Sequence, residues 1–159
     1  MDDLLQKAFV AGGERVAAWA DLLDAINVYP VADGDTGRNL AVSLSPLRLA
    51  GESADRLVRR LLVAARGNSG NIASQFFSAC YTLAAPSELA PAVREANARA
   101  WKAVSRPKPG TMLSVFDALE ETLGRQEFGG DEEDAGRIIA HLGEAVRETK
   151  DLLPKLSQA

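Results

Sequence analysis

Apolar residues recur at helical spacing along most of this chain. Over residues 3–26 they return to one side every three or four positions, as in an amphipathic helix, and the pair Gly12-Gly13 predicts a split or bend there. The same periodicity predicts later helices over 37–49, 54–65, 71–83, 86–104, 111–124 and from about 132 onward.

Prolines, caps and glycines mark the boundaries between these helices. Pro46 predicts a kink or an early end, Ser53 is a good N-cap for the third helix, and Pro154 should disturb the last one. Glycine-rich breaks are predicted at 27–37, 66–70 and 105–110, and a loop at 124–134. About seven helices with short connections indicate mostly antiparallel neighbours.

Composition agrees with an all-α fold. The chain of 159 residues contains 27 Ala and 20 Leu, the strongest helix formers, and lacks runs of β-branched residues. This length fits one domain spanning 1–159 with a core that needs no disulfides. The lone Cys80 cannot form an internal bridge, which favours a reducing compartment.

The charge balance narrows the classes of partner. The chain has a formal net charge of −4, so it lacks the excess of basic residues that is typical of nucleic-acid-binding proteins. The N-terminus is acidic where a secretory signal is basic, and no apolar stretch approaches the length of a membrane span. A cytoplasmic protein is therefore expected.

The strongest chemical signal is the segment NVYPVADGDTGRN at 27–39. Asp33 and Asp35 flank a glycine, and such neighbouring carboxylates repel unless a cation joins them. Mg²⁺ takes one or two carboxylates together with phosphate oxygens and water, and Thr36 could cap a following helix whose exposed N–H groups favour phosphate. The alternative is an Asp-Gly turn in which the two aspartates only cap that helix.

Two further breaks follow the same pattern. RGNSG at 66–70 and KPGTM at 108–112 each bring small polar residues to the start of a helix, which suits phosphate or base contacts but also an ordinary helix–helix turn. If the helices alternate in direction, all three breaks lie at one end of the bundle. Neither a P-loop nor a dinucleotide-binding fingerprint is present.

Taken in order, DAINVYPVADGDTGRN, AARGNSGNIASQ and AWKAVSRPKPGTMLSV resemble the nucleotide-binding DhaL domain over residues 1–159. This domain is shared by dihydroxyacetone (glycerone) kinases and the ATP-binding subunit of bacterial fatty acid kinase. The resemblance is closer to fatty acid kinase, because Thr36 stands where dihydroxyacetone kinase subunits typically have His. It implies an antiparallel helix-bundle barrel, which would lack its last helix and a glycine-rich closing segment here.

The resemblance also implies a set of site residues. Asp33 and Asp35 would act catalytically by binding Mg²⁺, with Asn27 as an uncharged third ligand. The residues expected around ATP are Thr36 and Asn39 near the phosphates, Asn68, Ser69 and Gly70 at phosphate or ribose, and Gly110, Thr111 and Met112 on the adenine side.

These expectations define a Mg-ATP-dependent phosphotransferase domain. Its acceptor would be a fatty acid carboxylate held by a fatty-acid-binding partner protein, giving an acyl phosphate. The alternatives are dihydroxyacetone presented by a sugar-binding subunit, or a non-catalytic nucleotide-binding or regulatory domain. Whether residues 1–159 bind nucleotide alone, and whether the chain forms a homodimer, stay open at this stage.

Overall fold

The computed structural model describes residues 3–27, 33–49, 52–83, 86–125 and 132–156. Within these ranges it is all-helical and contains no strand, which confirms the predicted fold class. The α-helices in chain order are α1 (Asp3–Ala18), α2 (Ala20–Ala25), α3 (Thr36–Leu44), α4 (Ala54–Ala64), α5 (Gly67–Cys80), α6 (Leu89–Lys102), α7 (Met112–Arg125) and α8 (Glu132–Leu156). Short 3-10 helices cover Ser45–Arg48 and Pro86–Glu88.

The first helical segment breaks at Trp19 and not at the paired glycines. Gly12 and Gly13 both lie inside α1, so the predicted split there is wrong. Gly13 is buried, and a Cβ on it would lie 3.3 Å from Cγ of Arg48. Close packing therefore explains why this position of the helix is occupied by glycine. The break after α1 instead lets the backbone of Ala20 lie directly against α3.

Other boundaries follow the predictions with local corrections. Pro46 ends the regular helix early, because α3 gives way to a 3-10 turn at Ser45. Ser53 occupies the N-cap position of α4 but its side chain makes no capping hydrogen bond. The break at 66–70 is shorter than predicted, since α5 already begins at Gly67. Helix α8 continues through Pro154 and ends at Leu156.

Helix α5 is the centre of the packing. It contacts α3, α4 and α6, and it contributes residues to both hydrophobic clusters. Phe76 on α5 stacks on Phe116 of α7 with ring centroids 3.8 Å apart. Burial of a large apolar side chain contributes roughly 1.5–3 kcal/mol. Helix α5 is therefore held in place by its contacts with α3, α4 and α6 and by the ring of Phe116 on α7.

A polar cluster joins α6 to α7. The buried amide Nδ2 of Asn97 donates to Asp117 at 2.8 Å and to Glu120 at 2.8 Å, and the indole Nε1 of Trp101 donates to the same Asp117 oxygen at 2.8 Å. Hydrogen bonds to carboxylates are stronger than neutral ones. This cluster fixes how α7 lies against α6, just beyond the turn at 105–110.

Candidate functional site

The start of α3 is capped by a residue of α2. Oδ1 of Asp24 accepts hydrogen bonds from the backbone N–H of Gly37 at 2.6 Å and of Arg38 at 3.1 Å. Burial raises the pKa of the Asp24 carboxyl, but hydrogen bonds from the side chain and backbone of Arg38 and from Gly37 outweigh it and lower the pKa below its usual range. Two of the N–H groups expected to attract phosphate are therefore already occupied, and that part of the sequence interpretation is wrong.

Arg38 connects this cap to the Asp-Gly-Asp turn. Its Nε donates to Oδ2 of Asp24 at 2.8 Å, and its Nη2 donates to the carbonyl oxygen of Gly34 at 3.0 Å. Gly34 has φ +63°, a left-handed conformation that glycine adopts without strain. One guanidinium thus ties the turn at 33–35 to both α2 and α3.

Because Asp24 supplies the cap, the two motif aspartates do not. Asp35 occupies the N-cap position of α3 but its side chain makes no capping hydrogen bond. Thr36 is the first helical residue, so the expectation that it caps the helix is also wrong. Asp33 is exposed and accepts a hydrogen bond from Nδ2 of Asn27 at 2.7 Å. The alternative in which both aspartates serve only as caps fails for this reason.

The donor atoms left at this turn suit a hard cation. The amide nitrogen of Asn27 donates a hydrogen bond to Asp33. This leaves Oδ1 of Asn27 and carboxylate oxygens of Asp33 and Asp35 as atoms that can coordinate a metal ion. Among the described residues no group of three or more His, Cys, Asp or Glu side chains converges to hold a metal. Two carboxylates and an amide leave coordination positions for phosphate and water, which is how Mg²⁺ is commonly bound with nucleotides. The residues present therefore fit magnesium.

The second motif lies directly against the first. A Cβ on Gly70 would overlap Oγ of Ser43, and a Cβ on Gly67, whose φ is +63°, would lie 2.7 Å from Nδ2 of Asn39. The Ser43 hydroxyl donates to the carbonyl of Asn39 at 2.6 Å and accepts from the backbone N–H of Arg66 at 2.9 Å. These contacts form a close seam between α3 and the first turn of α5.

The predicted ligand-binding residues of the second motif are available at this seam. Asn68 is exposed and Ser69 half-buried in the first turn of α5, and neither side chain hydrogen-bonds to another described residue. Gly70 is buried against Ser43, so its role in the structure is close packing. Contact of Asn68, Ser69 and Gly70 with nucleotide stays a prediction.

The third motif forms a capped turn at the start of α7. The hydroxyl of Thr111 donates to the carbonyl of Lys108 at 3.0 Å and accepts from the N–H of Leu113 at 3.3 Å, while the N–H of Gly110 donates to Oγ of Ser114 at 2.9 Å. Met112 packs against both core clusters. The adenine-side role of Gly110, Thr111 and Met112 stays a prediction, because their described contacts are with the turn and the core.

Sequence reasoning missed Asp24 and Arg38 as parts of this site. Asp24 lies in the last turn of α2, where the helix dipole disfavours a carboxylate. That unfavourable placement is the one signal in the sequence that points to a partner elsewhere in the fold.

Comparison with known proteins identifies the family to which the chain belongs. The DAK2 domain matches residues 30–159. An uncharacterized protein of Staphylococcus epidermidis is 33% identical over 96% of this chain, and this match covers 30% of that protein. Uncharacterized proteins of Staphylococcus saprophyticus and Staphylococcus aureus USA300 are 31% and 32% identical over 98% of the chain, covering 31% of each.

The all-helical fold and the paired-aspartate turn thus belong to a domain of the kinase-related, nucleotide-binding class. This chain is a member of the DAK2 (DhaL-type) domain family. It spans about a third of the length of the curated relatives that it matches. No helix within the described ranges is both long and apolar enough to cross a membrane.

Proposed function

We propose that this chain binds Mg-ATP and transfers the γ-phosphoryl group to an acceptor held by a partner protein, with a fatty acid carboxylate as the acceptor. Membership of the DAK2 family supports the kinase-related part of this proposal. The single observation that carries the site is that Asp24 caps α3 and leaves the oxygens of Asp35 without a capping role.

Different residues would contact the metal, the phosphates and the adenine of the bound nucleotide. Asn27, Asp33 and Asp35 would hold the metal through oxygen atoms, and Thr36, Asn39, Asn68 and Ser69 would lie along the phosphates. Gly70 would support the same segment, while Gly110, Thr111 and Met112 would contact the adenine. Bound Mg²⁺ would supply charge neutralisation on the phosphates, which together with positioning accounts for most catalysis of phosphoryl transfer.

The chemistry of the acceptor distinguishes the candidate reactions. A carboxylic acid has an ordinary pKa near 4–5, so at neutral pH it is already ionised and needs no general base. A hydroxyl acceptor such as dihydroxyacetone would benefit from a base, and the only histidine of the chain is His141, exposed on α8. This comparison favours the carboxylate, and Thr36 in place of His favours fatty acid kinase over dihydroxyacetone kinase.

The metal site is tested by Asp33→Asn and Asp35→Asn. Each change removes a charged oxygen ligand, so Mg-dependent ATP affinity measured by calorimetry should fall by more than about 100-fold, beyond the loss typical of residues that only support ligands. Circular dichroism should show the same helix content as in the wild type. Asp55→Asn, an exposed aspartate of α4, is the matched control and should leave the affinity unchanged. Unchanged affinity in both site variants would contradict the proposal.

The acceptor is tested separately from the nucleotide. We expect ATP-dependent acyl phosphate formation, trapped as a hydroxamate, when a fatty-acid-binding partner loaded with fatty acid is added to the chain. Phosphorylation of dihydroxyacetone with a sugar-binding subunit would instead support the second candidate. Nucleotide binding with no transfer to either acceptor would support a non-catalytic regulatory domain.

A further inference from the structure

We propose that Asp24 and Arg38 act as a pair of positioning residues that keep the carboxylate of Asp35 available for metal–nucleotide binding. This inference rests on the proposed function and adds Asp24, which precedes the segment 27–39, and Arg38, a residue of that segment for which the sequence pattern predicted no role. Asp24 is 13 positions from Gly37 along the chain, so its capping contact forms only in the folded structure.

The first step of the argument concerns the N-terminus of α3. Asp35 lies at its N-cap position, where an aspartate ordinarily turns its own carboxylate back to accept from the second or third N–H of the helix. In this fold both of those N–H groups, on Gly37 and Arg38, donate to Oδ1 of Asp24. Asp24 therefore removes the local hydrogen bonds that would otherwise hold the Asp35 side chain against its own helix.

The second step concerns the turn itself. The guanidinium of Arg38 donates to Asp24 through Nε and to the carbonyl of Gly34 through Nη2. Because Gly34 lies between the two aspartates, holding its carbonyl sets the backbone direction from which both carboxylates extend. Arginine provides these separate donors in a rigid planar fork, whereas lysine offers a single point of attachment.

Both steps predict that changes in the pair weaken metal binding more than they weaken the fold. When Asp24 is lost, Asp35 can take over the cap, so the helix keeps its hydrogen bonds while the metal loses a ligand. Residues that orient metal ligands typically change metal affinity by about 10- to 100-fold when they are substituted. A purely structural role would lower the stability instead and leave the affinity per folded molecule unchanged.

The experiment compares Asp24→Ala and Arg38→Lys with the wild type. We expect the affinity for Mg-ADP, measured by calorimetry, to fall by roughly 10- to 100-fold in both variants. Affinity for ADP measured in excess EDTA should not change. Arg99→Lys is the matched control, because Arg99 makes an exposed ion pair of the same length, 2.8 Å, with Glu95 on α6. This control should bind Mg-ADP as the wild type does.

A double-mutant cycle measured by thermal unfolding, without nucleotide, tests whether Asp35 caps α3 when Asp24 is removed. In the wild-type background Asp35→Ala should hardly change the melting temperature, because Asp35 makes no capping bond. In the Asp24→Ala background the same change should lower the melting temperature by roughly 2–4 °C, the effect of losing one N-cap in a protein of this size.

The outcomes separate this inference from the proposed function. If the wild type binds Mg-ADP and both variants bind it equally well, this inference is overturned and the proposed function stands. If the wild type binds no Mg-ADP, both are overturned. Equal effects of Asp35→Ala in the two backgrounds would also overturn the inference, because Asp24 would then not be what keeps Asp35 from capping.

Discussion

At the scale of single residues, Gly70 shows how closely two helices of the site approach each other. Its position on α5 faces the hydroxyl of Ser43, which is completely buried and hydrogen-bonded to both Asn39 and Arg66. A side chain at this position would push the two helices apart. The glycine in the RGNSG motif is thus required by packing, whatever else the motif contacts.

This geometry predicts opposite effects for two glycine substitutions. Gly70→Ala should destabilise the protein by about 2 kcal/mol, because the new methyl group overlaps the buried Ser43 hydroxyl. Gly12→Ala should stabilise it by about 0.5–1 kcal/mol, because Gly12 lies inside α1 with nothing within 4 Å of the added Cβ. Urea unfolding of both variants measures these values, and a loss from Gly12→Ala equal to that from Gly70→Ala would refute the packing argument.

Asp24 explains why part of the site could not be found in the sequence. The motif at 33–37 was recognisable because its residues are adjacent and their types match metal and phosphate chemistry. Asp24 lies in a different helix, and its role depends on the approach of Ala20 to Gly37, which only the folded chain reveals. Local capping rules pointed to Asp35 and Thr36, and a tertiary contact replaced them.

At the scale of helices, α4 shows why periodicity located most elements correctly. Leu57 and Leu61 are fully buried as the spacing predicts, but Leu62, also predicted to face inward, is 42% exposed because it lies about 100° around the helix from Leu61. The break at 66–70 and the division between α1 and α2 were less well predicted, because glycine serves both as a helix breaker and as a close-packing residue. Gly12, Gly13 and Gly70 all lie inside helices.

Alanine substitutions on α4 test this orientation. Leu61→Ala removes a fully buried side chain and should lower the free energy of unfolding by about 3 kcal/mol. Leu62→Ala is the matched control one position along the helix and should cost less than about 1 kcal/mol, because its side chain is already partly in water. Denaturant unfolding with equal m-values compares the two, and similar losses would mean that α4 is rotated from the orientation described.

At the scale of the whole molecule, the buried thiol of Cys80 links stability to alkaline pH. Burial raises the pKa of Cys80 to about 12 from an ordinary value of 9.0. Above pH 9 the unfolded chain releases a proton that the folded protein keeps, so folding stability falls as the pH rises toward 12. The thiol's contribution is fully present below pH 9.

This linkage is measurable by comparing the wild type with Cys80→Ala. Between pH 9 and pH 11 the wild type should lose up to about 1.4 kcal/mol more per pH unit than the variant, which has no thiol to ionise. The variant will be less stable at neutral pH because of the small cavity, so only the difference in slope is informative. Parallel pH profiles would mean that the thiol ionises in the folded protein as easily as in the unfolded chain.

The seam between α3 and α5 has a consequence for how nucleotides would exchange. Backbone and hydroxyl groups touch across it, so the first turn of α5 is held closely against α3. Widening the gap between α3 and α5 would break the hydrogen bond from the Arg66 N–H to Ser43 and expose the backbone of Gly70. If the chain binds nucleotide as proposed, entry and release would therefore have to occur without separating Gly70 from Ser43.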